Sequence, residues 1–167
     1  MAGGARKTGL PDLGPRGEGW VIGQFLLLGL LLVLTVPRLP ELLPDSLFSW
    51  LAFAAGGTAL TVAGWDLLHA FRDLGRNLTP LPRPRDDAAL VESGIYASVR
   101  HPIYAGLILG GLGWSTLTRS LPAVVVAVLL AIYLDAKSRR EEAWLTERYA
   151  GYVAYKARTH RFLPRVY

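Results

Sequence analysis

Trp114-Ser115-Thr116-Leu117-Thr118-Arg119-Ser120-Leu121-Pro122-Ala123-Val124 joins two apolar runs, and its reading decides the fold. His101–Thr118 before it and Ser120–Leu134 after it contain no Asp, Glu, Lys or Arg. A link of this length forces the second helix to return antiparallel beside the first. Two more uncharged runs lie upstream, Trp20–Pro37 and Ser46–Trp65. A helix rises about 1.5 Å per residue and the hydrocarbon core is about 30 Å thick, so roughly 20 residues cross it. The first three runs are near that length. The fourth is short unless its helix continues past Asp135 with its charges in the interface.

Of the 167 residues 51% are hydrophobic and 19% charged, and four apolar helices leave too little polar surface to cover them in water. The reading is an all-α integral membrane protein with about four transmembrane helices and a cytoplasmic C-terminal helical segment. Residues 1–18, rich in Gly, Pro and charge, are expected to be a disordered tail. Residues 19–167 form a single domain whose motif-bearing part is 74–164. The first run ends in Val36-Pro37-Arg38-Leu39-Pro40 without a small-x-small cleavage pattern, and so reads as a retained helix.

The net charge of +5 is uneven. Arg72, Arg76, Arg83, Arg85 and Arg100 fall between the second and third runs. Lys137, Arg139, Arg140, Arg148, Lys156, Arg158, Arg161 and Arg165 follow the fourth, while the other two connections hold only Arg38 and Arg119. The positive-inside rule then puts both termini and the central loop in the cytoplasm of a multi-pass protein of the cell membrane. Anionic headgroups explain this excess better than nucleic acid does. The chain has no cysteine, which excludes disulfides and thiolate nucleophiles.

Local signals set the expected elements. The Pro37/Pro40 pair ends helix 1 near Val36, and Pro44-Asp45-Ser46 offers a cap for a helix running to about Phe71. Three prolines within Pro80–Pro84 make Leu78–Arg85 an extended strap. Pro102 suits the first turn of helix 3, and helix 4 is expected to reach Tyr149. Gly106, Gly110, Gly111 and Gly113 read either as close helix packing or as room for a ligand.

Polar side chains at the ends of these runs are the candidate chemistry. His101 and Tyr104, three apart, share a helix face, and with Arg100 they also fit an interfacial belt. Glu141 and Glu142 follow Lys137-Ser138-Arg139-Arg140, which alone reads as a solvated helix end. The antiparallel hairpin puts both clusters on one side of the membrane. A carboxylate facing a His/Arg/Tyr group there suits a zwitterionic ligand. Asp66 and His69 form a further candidate pair near the end of helix 2. The scattered histidines carry no metal spacing, and no phosphate-binding glycine loop is present.

In order, Leu90-Val91-Glu92-Ser93-Gly94-Ile95-Tyr96, Val99-Arg100-His101-Pro102-Ile103-Tyr104-Ala105-Gly106, Glu141-Glu142, Tyr152-Val153-Ala154-Tyr155-Lys156 and Phe162-Leu163-Pro164 resemble the isoprenylcysteine carboxyl methyltransferase family. Phospholipid N-methyltransferases are similar in outline. The resemblance covers about Leu74–Pro164. It implies S-adenosyl-L-methionine as methyl donor, in a cytoplasm-facing pocket roofed by the C-terminal segment. Leu90, Val91, Tyr96, His101, Pro102, Ile103, Tyr104 and Glu141 would surround the donor, with Arg100 beside them. Lys137 stands where the family often has Arg on the acceptor side. Lys137 or Arg139 would orient an anionic acceptor, and Glu142 or His101 would assist an amine one. Where the family carries Phe-Gly-Glu-x-Tyr, this chain has Tyr149-Ala150-Gly151-Tyr152, without the acid.

The implied partners are a lipophilic or lipidated acceptor and membrane lipids, with no metal and no nucleic acid. Carboxyl O-methylation of an isoprenyl-like acceptor is the first expectation, and N-methylation of an aminophospholipid the second. A nicotinamide-dependent membrane reductase and a non-catalytic scaffold are the competing classes.

Overall fold

A computed structural model describes residues 9–83 and 88–164. The expected tail within residues 1–8, Pro84 and Arg85 of the strap, and Arg165 lie outside the described residues. Among the described residues five α-helices follow one another: α1 (Glu18–Thr35), α2 (Leu47–Leu74), α3 (Pro102–Leu117), α4 (Leu121–Arg148) and α5 (Tyr152–Arg158). Among the described residues there is no strand beyond one isolated parallel bridge, Val99 with His160.

The helix boundaries follow local chemistry. The Ser46 hydroxyl accepts from the Ser49 N–H at 3.3 Å while the Ser49 hydroxyl accepts from the Ser46 N–H at 2.9 Å. This reciprocal cap satisfies two donors that helix geometry leaves without partners, for about 1 kcal/mol. Pro102 occupies the first position of α3, where its missing N–H costs nothing. After α1 the chain tightens into a 3-10 turn, Val36–Glu41, around Pro37 and Pro40.

Among the described residues three helical stretches are long and apolar enough to cross a membrane: Glu18–Glu41, Leu47–Asn77 and Leu121–Arg148. Their outer faces carry Leu26, Leu30 and Val33 on α1, Phe48 and Leu51 on α2, and Leu129 and Ile132 on α4, all exposed. Lipid contact is the environment that removes so much apolar surface from water. Helix 4 is as long as expected, but helix 3 falls short of a full span. Helix α4 continues well past Asp135, whereas α3 has 16 residues and spans about 24 Å.

Helix α3 packs between α2 and α4, and α1 lies against α4. The seam between α2 and α3 is built on glycine. A Cβ on Gly56 would lie 2.6 Å from the Gly113 carbonyl oxygen, and one on Gly106 would lie 2.7 Å from Leu67 Cγ. The helix-3 glycines therefore serve close packing, and none of them lines the cavity described below. This arrangement brings the start of α1, the end of α2, the start of α3 and the end of α4 to one end of the bundle.

Two irregular segments close that end. Residues 9–17 form turns held to their neighbours: Arg83 Nη1 donates to Pro15 O at 3.1 Å, and Arg140 pairs with Asp12. The C-terminal segment docks on the start of α3, where the Arg100 and His101 N–H groups donate to His160 O and Arg161 O at 2.8 and 3.0 Å.

Candidate functional site

A cavity of about 420 Å³ opens at this end of the bundle. Helix α4 presents Lys137, Glu141 and Leu145 to it, spaced four apart and so on one face. Helix α1 contributes Gln24, Phe25 and Leu28 in the same way. The remaining wall comes from Phe71 and Leu74 of α2, the strap Leu78–Pro82, the first two turns of α3 and the C-terminal tyrosines.

The first turn of α3 meets α4 through a polar cluster. Tyr104 Oη donates to Glu141 Oε2 at 2.7 Å. The His101 ring lies parallel to the Tyr104 ring, with centroids 5.3 Å apart and planes within 3°. Its Nδ1 sits 3.8 Å from Glu141 Oε2 and its Nε2 sits 3.4 Å from Glu142 Oε1. Nε2 is buried and makes no hydrogen bond of good geometry. Glu141 keeps 23% of its side chain accessible, and its Oε1 has no protein partner among the described residues.

Leu90 and Val91 line the opposite wall, beside Tyr96 in the 3-10 turn Gly94–Ala97. That turn is fixed by a left-handed glycine, Gly94 at φ +61°, and by Asp73, which accepts from the Ile95 N–H at 2.8 Å. A side chain at position 94 would run into the Asp73 carboxylate. Tyr155 Oη donates to Tyr96 O at 2.7 Å, and Tyr149 Oη donates to Ala88 O at 2.7 Å. The C-terminal segment thus holds the Leu90–Tyr96 wall in place. Burial, reinforced by the Glu141 charge, raises the Tyr96 hydroxyl well above its usual range. Burial also pushes Tyr155 up to about 12. These hydroxyls therefore remain neutral donors at ordinary pH.

The structure brings Leu90, Val91, Tyr96 and Arg100 to the cavity wall together with His101, Pro102, Ile103, Tyr104, Glu141 and Lys137. It does not bring Arg139 and Glu142 there. Arg139 is 52% exposed and pairs with Asp135 at 2.7 Å on the outer face of α4. Glu142, one residue beyond Glu141, points about 100° away around the helix. It is 2% exposed and bonds to Arg100 Nε at 2.9 Å, Lys156 Nζ at 2.7 Å and Arg161 Nη2 at 3.2 Å. A carboxylate so enclosed fastens the C-terminal segment and does not line the cavity where it was expected to assist an amine acceptor.

Asp66 and His69 do not line the cavity either. The His69 ring lies tilted by 34° against Trp65, with centroids 4.2 Å apart, and its Nδ1 bonds Trp65 O at 2.8 Å, in place of the expected pairing with Asp66. Sequence reasoning missed Gln24, and it carried Tyr149, Tyr152 and Tyr155 only as parts of the family pattern, without placing them individually in the site. An amide in the apolar stretch Val21–Leu34 is the signal that marks Gln24, since a polar group at that depth needs a partner.

The order of these groups along the chain is a family pattern, and residues 51–151 match the phospholipid methyltransferase family. The chain belongs to that family. It is 36% identical over 83 residues to the cobalt-zinc-cadmium resistance protein CzcN of Cupriavidus metallidurans. It is 31% identical over 83 residues to the nickel-cobalt-cadmium resistance protein NccN of Alcaligenes xylosoxydans xylosoxydans. Each match covers 49% of this chain but only 38% and 39% of those relatives. Among the described residues no group of three or more His, Asp or Glu side chains is placed to hold a metal ion. The match of the family takes in most of α2, the strap, α3 and all of α4, and leaves α1 outside it.

Proposed function

We propose that this chain is a membrane methyltransferase that uses S-adenosyl-L-methionine on a lipophilic acceptor, by carboxyl O-methylation of an isoprenyl-like acid. The observation that carries the reading is the joint exposure of Glu141, His101 and Tyr104 to one cavity. The donor set fits the cofactor. Glu141 has a carboxylate oxygen to spare for an ammonium or a ribose hydroxyl. Tyr152 lines the cavity with a buried hydroxyl that has no hydrogen-bond partner among the described residues, and the tyrosine rings offer faces to a purine.

When bound, S-adenosylmethionine supplies an electrophilic methyl group whose S–C bond breaks as the acceptor's O–C bond forms. The residues of the chain act by holding both reactants in line, which is the larger part of what such a transfer needs. His101 and Tyr104 position Glu141, and the Pro80–Pro82 strap with the C-terminal tyrosines covers the site from water. A carboxylate acceptor requires no general base. Opposite charges cancel along the reaction, so a dry cavity beside the lipid favours it.

In this reading α3 is the fourth crossing and the site-bearing end faces the cytoplasm. That end carries Arg72, Arg76, Arg100 and the basic residues after Lys137, against Arg38 and Arg119 at the other. The second reading is N-methylation of an aminophospholipid, which the description of the matching family favours. The test is transfer of labelled methyl from S-adenosylmethionine, by the purified chain in lipid, to an isoprenylcysteine analogue or to phosphatidylethanolamine. Product from the first supports the primary reading and product from the second alone replaces it. Absence of S-adenosylhomocysteine binding removes both.

A further inference from the structure

At the α1 side of the cavity a buried cation faces an amide. Lys137 is 1% exposed, and its Nζ donates to Gln24 Oε1 at 2.6 Å and, weakly, to Pro80 O at 3.4 Å. Beneath it lies the Tyr104 ring, 5.0 Å from Nζ to centroid. All these partners are neutral. Glu141, one turn along α4, is held by Tyr104 and forms no ion pair with Lys137. A charge withdrawn from water is ordinarily paired, because its desolvation costs several kcal/mol. Glu141 reaches it only through space, and among the described residues no carboxylate bonds to the ammonium.

The chemistry of the pair fixes the kind of group that completes it. An ammonium has only donors, so the Gln24 side chain must turn its oxygen toward Lys137. Its Nε2 then carries two N–H donors that have no acceptor among the described residues. Gln24 and Lys137 both line the cavity, next to apolar Phe25 and Leu28. The result is a cluster of N–H donors, carrying one positive charge, set in a greasy wall. We propose that Gln24 and Lys137 form a binding subsite for the anionic oxygens of a membrane-resident acceptor, a carboxylate or a phosphodiester. It rests on the methyltransferase reading only in being the acceptor end of that site. Position 137 is already marked as acceptor-side by the family resemblance; Gln24, on helix α1 outside the family match, is the member of the subsite that the pattern does not supply.

The test is binding to the full chain in a neutral maltoside detergent. The probes are farnesylthioacetic acid, its methyl ester, lysophosphatidylethanolamine and, separately, S-adenosylhomocysteine. Hydrogen bonds to a charged group discriminate by roughly tenfold or more. The acid, or the lysophospholipid, is therefore expected to bind about tenfold more tightly than the ester. Whichever does so identifies the carboxylate or the phosphodiester as the source of the oxygens. Gln24→Leu and Lys137→Met should each bring that ligand down to the ester's affinity while S-adenosylhomocysteine still binds. Lys137→Arg should retain part of the preference. Gln24→Glu, which places a fixed counterion on Lys137, should abolish it in a chain that still elutes as a single species.

Equal binding of acid, lysophospholipid and ester by the unaltered chain overturns the proposal. So does a parallel loss of S-adenosylhomocysteine in the variants, which assigns the pair to the donor end. An intact anion preference that the variants lose, in a chain that never binds S-adenosylhomocysteine, upholds the subsite and removes the methyltransferase reading instead.

Discussion

Tyr104 at the start of α3 donates a 2.7 Å hydrogen bond to Glu141 near the end of α4, linking residues 37 positions apart across the mouth of a helical hairpin. The bond holds a carboxylate on the cavity wall with one oxygen left to receive a ligand. A hydrogen bond to a charged group contributes about 1.5–3 kcal/mol. Tyr104→Phe should therefore weaken S-adenosylhomocysteine binding by roughly ten- to hundredfold, and Glu141→Gln by at least as much. Calorimetric titration of variants that elute as the unaltered chain does will check this. Unchanged affinity in both would separate the cluster from the donor.

Glu142 performs the other task of the pair. It gathers Arg100, Lys156 and Arg161 at 2.9, 2.7 and 3.2 Å in a setting nearly closed to solvent. Removing one partner of a buried ionic network leaves uncompensated charge, at about 3–5 kcal/mol. Glu142→Ala should release residues 152–164, seen as fast amide exchange there together with a lower melting temperature. Lys156, 46% exposed, lies at the rim, so Lys156→Ala should cost less than about 1 kcal/mol. Equal effects of the two substitutions would mean that Glu142 is not the anchor.

Much of this architecture is legible locally. Ser46, Pro102, the proline strap and the short link at Arg119 each act on their own few residues, so their reading needs no tertiary knowledge. The grouping of Tyr96, His101 and Glu141 is legible from the hairpin together with the family pattern. The division between Glu141 and Glu142 is not. One residue of helix phase decides which faces the cavity, and the partners that hold Glu142, Lys156 and Arg161, come from a C-terminal segment whose docking place on α3 and α4 the sequence does not show. Gln24 is hidden for another reason: an isolated amide in an apolar run acquires meaning only when α4 brings Lys137 beside it. Helix α4 continues past Asp135 as expected, with that carboxylate paired to Arg161 and Arg139, whereas α3 is short because Pro102 starts it and the turn at Arg119 ends it.

The glycine seam gives a paired comparison within α2. At Gly56 a methyl group would lie 2.6 Å from backbone atoms of α3, at both Gly113 O and Leu117 N. Backbone cannot step aside as a side chain tip does, so Gly56→Ala should destabilise the chain by about 1–3 kcal/mol. At Gly57, one position on, a methyl group meets nothing within 4 Å. There the same substitution removes only the conformational freedom of glycine and should stabilise by about 0.5–1 kcal/mol. Thermal unfolding in one detergent will rank them. The reverse order would mean that α2 and α3 do not pack along this seam.

The tyrosines that brace the Leu90–Tyr96 wall make stability depend on alkaline pH. Burial pushes the Tyr155 hydroxyl up to about 12, against the nearby Arg100 charge, and its proton is engaged with Tyr96 O at 2.7 Å. Burial, helped by Glu142, raises Tyr152 as well. Both groups lie above the unfolded value of about 10. A value raised on folding favours the protonated native state, so this stabilisation is complete below about pH 10 and disappears as pH climbs through about 12. Absorbance at 295 nm should show a class of tyrosines that ionises only as helical circular dichroism is lost. Tyr155→Phe should cost about 1 kcal/mol at neutral pH through the missing hydrogen bond and flatten the alkaline decline. If all seven tyrosines ionise together near pH 10 while the helices persist, the C-terminal segment is not packed against the wall as described.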